Sequence, residues 1–159
     1  MQIAVIGAAD ANPEEYEAAR VVGCLIAKNT GILICGGMGG VMEAACKGAR
    51  EFGGRIVGIL TGTGNGNPYL DIVIRTGLGH ARNVLVVQSA DAVIAIGGGY
   101  GTLSEIAIAL KLNKPVFGLK TWDIKGVASC ENPEEAVIRA VRIASELERS
   151  KQCSFTLIS

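Results

Sequence analysis

The chain has 159 residues, 49% apolar and 19% charged, which fits one domain built on a sheet buried on both faces and excludes a disordered chain. Its 15 basic residues balance 15 acidic ones, which argues against a surface made to coat nucleic acid or an anionic membrane. Five cysteines (Cys24, Cys35, Cys46, Cys130 and Cys153) form no C-x-x-C pair and there is one histidine, so no metal site is expected; the thiols read as small core hydrophobes in a reducing cytoplasm.

In chain order, Gln2–Ile6 reads as a strand, and Pro13–Asn29 as a helix with Pro13, Glu14 and Glu15 well placed in its first turn. Ile32–Cys35 is a strand that runs into the glycines Gly36–Gly40 and then a helix, Val41–Phe52. Arg55–Leu60 is a strand, followed by Thr61–Tyr69 (TGTGNGNPY), which is either a flexible surface loop or a mobile lid over a polar ligand. Ile72–Arg75 is a weaker strand candidate. Arg82–Ser89 is helical, Ala92–Ile96 a strand, Thr102–Leu112 a helix and Pro115–Leu119 a strand. Lys120–Asn132, with the only tryptophan, Trp122, has no assignment; Pro133–Arg149 is a helix; Gln152–Ser159 is either an extra strand or disordered. Apolar strands alternating with helices predict right-handed crossovers, hence an α/β, Rossmann-like, doubly wound domain over residues 1–150, with a mainly parallel sheet of six or seven strands and a tail at 151–159. No apolar run approaches the roughly 20 residues of a membrane span. The helix Thr102–Leu112 is apolar nearly all round, with Leu103, Ile106, Ala107 and Leu110 on one face and Ile108 and Leu112 on another. Such a helix needs cover on both sides, which predicts a homo-oligomer, dimer or tetramer.

Sheets of this kind bind ligands beyond the carboxyl ends of their strands. Two turns there echo one another: Gly36-Gly37-Met38-Gly39-Gly40-Val41-Met42-Glu43 and Gly98-Gly99-Tyr100-Gly101-Thr102-Leu103-Ser104-Glu105 share G-G-x-G-x-x-x-E after a strand and before a helix. Glycines let a ligand approach the backbone, and the free N–H groups of a helix start attract an anion. Gly36, Gly37, Gly39, Gly40, Gly98, Gly99, Gly101 and Thr102 are therefore candidate phosphate-binding residues. No Gly-Lys-[Ser/Thr] is present and no acid closes the following strand, which disfavours a P-loop NTPase and a dinucleotide enzyme. Glu105 is either half of a Thr102-x-x-Glu105 capping box or a carboxylate acting over the ligand; Glu43 reads similarly. Arg82 stands near a helix start, where a cation is unfavourable unless an anion or Glu105 faces it. His80 is either a solvated loop residue or a hydrogen-bonding wall of the site.

Gly97–Glu105 (GGGYGTLSE), with His80–Asn83 upstream and the strand between them, resembles the Lonely-guy superfamily, whose members were widely labelled "possible lysine decarboxylase". That family's motif is Pro-Gly-Gly-x-Gly-Thr-x-x-Glu; Gly98, Gly99, Gly101, Thr102 and Glu105 match, Gly97 replaces the proline, and His80-Ala81-Arg82-Asn83 stands for His-Glu-Arg-Lys. The resemblance implies Arg82 and Glu105 as a catalytic pair cleaving a nucleoside 5′-monophosphate to free base and ribose 5-phosphate. The sequence is also similar to the branch that includes molybdenum-cofactor carriers, which implies storage of a phosphorylated pterin without reaction. No cofactor is required on either reading; the bound molecule is a nucleoside monophosphate or molybdenum cofactor. A decarboxylase is not expected, because no lysine lies near the turns to carry pyridoxal phosphate. Single-strand DNA binding is disfavoured by neutral charge and few aromatics.

Overall fold

The computed structural model describes residues 1–156. Seven strands, β1 (Gln2–Gly7), β2 (Ile32–Cys35), β3 (Arg55–Leu60), β4 (Ile72–Arg75), β5 (Ala92–Ile96), β6 (Val116–Leu119) and β7 (Val127–Ser129), form one sheet in the order β4-β3-β2-β1-β5-β6-β7. Every adjacent pair is parallel. Four helices make crossovers, α1 (Pro13–Lys28), α2 (Val41–Glu51), α3 (Asn83–Gln88) and α4 (Tyr100–Lys111), and α5 (Pro133–Thr156) follows the last strand. The doubly wound α/β sheet is thus present with seven strands. The seventh comes from Lys120–Asn132, where three residues of modest apolarity carry no periodic signal of their own and pair only because β6 offers an edge.

Strand residues alternate between two cores. Ile3, Val5, Leu33, Cys35, Ile56 and Ile94 pack with α1, α2 and α5, whereas Ala4, Ile6, Ile34, Ile59, Val93 and Ala95 pack with α3 and α4. Both faces are covered, which is why the strands read as continuous apolar runs. The two helices on the first face meet backbone to backbone: a Cβ on Gly48 would lie 1.8 Å from the Arg20 carbonyl oxygen, and one on Gly23 1.9 Å from that of Ala45. Cys35 and Cys46 are buried free thiols with sulfurs 3.4 Å apart.

Helix α1 starts with a capping box, in which the Asn12 side chain accepts from the Glu15 amide and the Glu15 carboxylate from the Asn12 amide. Helix α4, by contrast, begins at Tyr100, with Gly99 at its cap and no side-chain cap. Thr102 is therefore inside the helix, and the capping-box reading of Thr102 and Glu105 is set aside. Helix α5 runs to Thr156, so Gln152–Thr156 is helical where an extra strand or disorder was expected; 157–159 lie outside the described residues. Among the described residues no helix is long and apolar enough to cross a membrane.

Candidate functional site

From β1 the chain builds outward to β4, then returns across the sheet to place β5 on the other side of β1. The turns after β1 and β5 diverge at this switch point, where an open parallel sheet leaves a crevice. A cleft of about 600 Å³ lies there. Its lining comes from the β1 exit (Gly7, Ala8, Ala9), the β2 exit (Met38, Met42), the β3 exit (Thr61, Gly62), the segment before α3 (Gly79, His80, Arg82, Asn83) and the start of α4 (Gly99, Gly101, Thr102, Glu105).

Arg82 ends a short 3-10 turn, Gly79–Arg82, and is only 6% exposed. Its guanidinium lies over Gly36, where a Cβ would come within 2.4 Å of Nη2. Nη1 donates to Glu105 Oε1 at 3.3 Å, and the buried Nε has no partner. Glu105, projecting from α4, is equally buried. Burial raises its carboxyl to about 7, opposed by the Arg82 charge and hydrogen bond. A guanidinium has five donors in a planar fork, and one bond to a carboxylate satisfies a small part of that capacity. An uncompensated donor in a buried site costs about 1–3 kcal/mol, so the arrangement favours an anion with several acceptor oxygens, such as phosphate.

The two glycine turns lie close together but differ. After β5, the first-turn amides of α4 have no side-chain cap, and Gly99, Gly101 and Thr102 line the cleft. The Thr102 side chain rests against Gly98. After β2, the first amide of α2, Val41, donates to the Ala8 carbonyl at 3.0 Å, so this helix start is partly closed by the β1 exit. Gly36 lies beneath Arg82, Gly37 packs on Leu60, and Gly40 faces the Ala8 and Ala9 carbonyls; of the four predicted glycines here, Gly39 alone lines a cleft, a second and adjoining one. His80 is exposed at the wall of the first cleft. Asn83 donates to Ser104 Oγ, and Ser104 to the Gly101 carbonyl, which ties the Arg82 turn to the start of α4. Lys120–Asn132 has a role here as well. Thr121 donates to the Gly97 carbonyl at 2.6 Å and the Trp122 indole to that of Gly99 at 3.3 Å, bracing the glycine turn from behind.

The sequence profile of the SLOG cluster4 family matches residues 1–147. The chain belongs to the SLOG cluster4 family. An Archaeoglobus fulgidus protein named "Uncharacterized protein" is 54% identical to it over 139 residues, 86% of this chain and 92% of its own length. Among solved structures, the molybdenum cofactor binding protein of the phototrophic bacterium Rippkaea orientalis is 39% identical with a TM-score of 0.82, over 87% of this chain and 93% of that one. The molybdenum cofactor carrier protein of Chlamydomonas reinhardtii is 34% identical with a TM-score of 0.83, over 91% and 98%. A probable cytokinin riboside 5′-monophosphate phosphoribohydrolase of Oryza sativa subsp. japonica is 29% identical over 86 residues, 52% of this chain but only 38% of its own length.

In this SLOG cluster4 chain, the departure at Gly97 has a local cause. Its φ is +50°, and a Cβ would lie 1.9 Å from Glu15 Oε1, the carboxylate of the α1 capping box. Proline, fixed near −65°, does not fit that backbone. The cleft residues that sequence reasoning missed are chiefly Ala8, Ala9, Met38 and Met42. For the first two a signal existed: Asn12-Pro13-x-Glu15 marks a helix start just after the first strand, so the turn between had to open at the sheet edge. The methionines carry no signal of their own.

Proposed function

We propose that this chain binds a small phosphorylated ligand in the cleft beside Arg82 and holds it without transforming it, as a carrier or store for a phosphorylated cofactor of the molybdenum-cofactor kind. The observation that carries the reading is the buried, unpartnered Nε of Arg82 in a cleft that also contains the uncapped start of α4. The residues fit a phosphate group: Arg82 supplies a fork of donors, and the amides at Gly99–Thr102 supply a helix-start cradle. His80, exposed at the rim, can add a further hydrogen bond. The likeness to the Rippkaea orientalis and Chlamydomonas reinhardtii proteins supports this choice of ligand. Such a cofactor brings its own metal chemistry; the chain's part is to grip the phosphate and shield what is attached. We also propose that the protein is a homo-oligomer in the cytoplasm, with the exposed Tyr100 and Leu112 ends of α4 covered by another copy.

A second reading is hydrolysis of a nucleoside 5′-monophosphate to base and ribose 5-phosphate. The observation that favours it is Glu105, whose carboxyl is raised to about 7 beside Arg82. A group balanced there suits general acid–base work, and a carboxylate can stabilise the cationic sugar of glycosidic cleavage.

One experiment separates them. The protein, Arg82→Ala and Glu105→Gln are incubated with a panel of nucleoside monophosphates, with binding followed by calorimetry and base release by chromatography. Binding without release, weakened by Arg82→Ala, supports the carrier. Release that both substitutions abolish supports the hydrolase. If neither substitution changes binding or turnover, the site is not at Arg82.

A further inference from the structure

A second cleft of about 510 Å³ adjoins the first and shares Met38, Thr61 and Gly62 with it. Neither reading above uses it. Its apolar surface comes from Met38, Leu60 and Pro68, and much of the rest is bare glycine backbone on the β3–β4 loop. Walls without projecting side chains make a slot suited to a flat ring. The loop that forms the outer wall is held in place. Asn67, 8% exposed, takes the Gly37 carbonyl with its backbone amide at 2.8 Å and the Met38 carbonyl with Nδ2 at 3.1 Å. Arg75 of β4 donates to the Thr63 and Gly64 carbonyls at 3.2 and 3.0 Å and to Asn65 Oδ1 at 2.7 Å. A ligand therefore meets a wall already formed and does not have to order it.

Glu43 lines this slot from the first turn of α2. It is half-buried, and among the described residues its carboxylate makes no hydrogen bond and no ion pair. Of the cations beside the two clefts, Arg82 is paired with Glu105 and Arg75 with the loop. A carboxylate accepts only, and accepts best from two parallel N–H groups.

Resting on the phosphate-binding reading of the Arg82 cleft, we infer that the second cleft takes the ring of the same ligand, a planar heterocycle with two adjacent N–H donors, the 2-amino-4-oxo edge common to guanine and pterin, and that Glu43 accepts from both. Adenine offers that carboxylate a ring lone pair beside its amino group, and hypoxanthine offers one N–H where guanine offers two. A site built to hydrogen-bond a group rejects the analogue without it more strongly than an apolar pocket rejects a missing methylene.

The test uses the full chain and two ligand pairs. Calorimetry compares guanosine and inosine 5′-monophosphates, and fluorescence titration compares pterin with lumazine, in which oxygen replaces the 2-amino group. The amino-bearing member of at least one pair should bind about 10- to 100-fold more tightly, from the size of one charge-assisted hydrogen bond. Glu43→Gln, of the same size, should bring that pair to near equality. Discrimination in the nucleotide pair identifies a guanine nucleotide as the ligand class; discrimination confined to the second pair identifies a pterin. Equal binding within both pairs, or discrimination that survives Glu43→Gln, overturns the inference. Ribose 5-phosphate binding by the wild type and Arg82→Ala is measured alongside. If Arg82→Ala weakens it while neither ring pair discriminates, only the Glu43 assignment fails; if Arg82→Ala has no effect, the phosphate reading beneath it fails too.

Discussion

In the folded chain, burial lifts the Glu105 carboxyl from its ordinary 4.5 to about 7, and the Arg82 guanidinium opposes this only in part. Between those pH values the native state keeps a proton that the unfolded chain has released. Stability must then fall as pH rises through the window: the contribution is complete below about 4.5 and lost by about 7. At about 1.4 kcal/mol per unit, the span from 4.5 to about 7 is worth roughly 3 kcal/mol. Glutamine has the shape of the protonated carboxyl and does not titrate. Wild type and Glu105→Gln should therefore be about equally stable near pH 4.5, and the variant more stable by roughly 3 kcal/mol at pH 8. Urea unfolding followed by circular dichroism in phosphate-free buffer, at four pH values across the window, measures the difference. Other titrating groups cancel in it. A difference that stays flat with pH would refute the argument. A wild type that gains on the variant as pH rises would show that the ion pair with Arg82 outweighs burial.

Gly36→Ala puts a methyl 2.4 Å from Arg82 Nη2 and should displace the guanidinium, weakening calorimetric binding of phosphate ligands at least about tenfold, or about 1.4 kcal/mol; unchanged affinity would mean that the guanidinium's seat over Gly36 is irrelevant to binding. Gly48→Ala forces α1 and α2 apart against the Arg20 carbonyl, at about 1–3 kcal/mol of overpacking, and should lower the Tm by roughly 2–10 °C in a thermal melt. A Tm within a degree of wild type contradicts the helix contact as described. Gly97→Pro installs the residue of the Lonely-guy motif, yet at φ +50° it should cost about 3 kcal/mol or more of unfolding free energy. A proline variant as stable as the parent would show that the turn readily adopts a second backbone shape.

The sheet was legible because a strand buried on both faces must be apolar throughout, and five of the seven strands announce themselves that way. Ile72–Arg75 was weaker for a physical reason: β4 is an edge strand, and Ile72 and Ile74 are 56% and 44% exposed. Val127–Ser129 was invisible because pairing to β6, not its own residues, makes it a strand. In the site, Arg82 could be singled out as a charge awkward for its place in the chain, and Glu105 as the acid that closes the repeated glycine motif. Their facing one another was one of two explanations for Arg82, the other being an anionic ligand, and it is the β5 crossover that brings the two together across 23 positions. The β3–β4 loop was equally opaque. Its glycines and asparagines fit a floppy loop, and what holds it is Arg75 and Asn67 reaching backbone carbonyls that no motif specifies.

The repeated G-G-x-G-x-x-x-E invites the idea of two equal anion sites, and the fold shows why equal sequence does not make equal chemistry. The strand beside each turn decides. β2 and β5 both flank β1, but the chain leaving β1 bends toward α2, and the Ala8 carbonyl takes the Val41 amide. Among the described residues no such oxygen reaches the start of α4, where the loop after β6 instead holds the carbonyl side of the turn through Thr121 and Trp122 while Gly99, Gly101 and Thr102 line the cleft. The two glutamates diverge in the same way: Glu105 is drawn into the first cleft against Arg82, and Glu43 lines the second with no ion pair among the described residues. One turn with open amides and a guanidinium suits an acceptor-rich anion, and one with an open carboxylate suits a donor-rich edge. A ligand that spans both must carry the two chemistries at opposite ends, as a phosphorylated amino-heterocycle does.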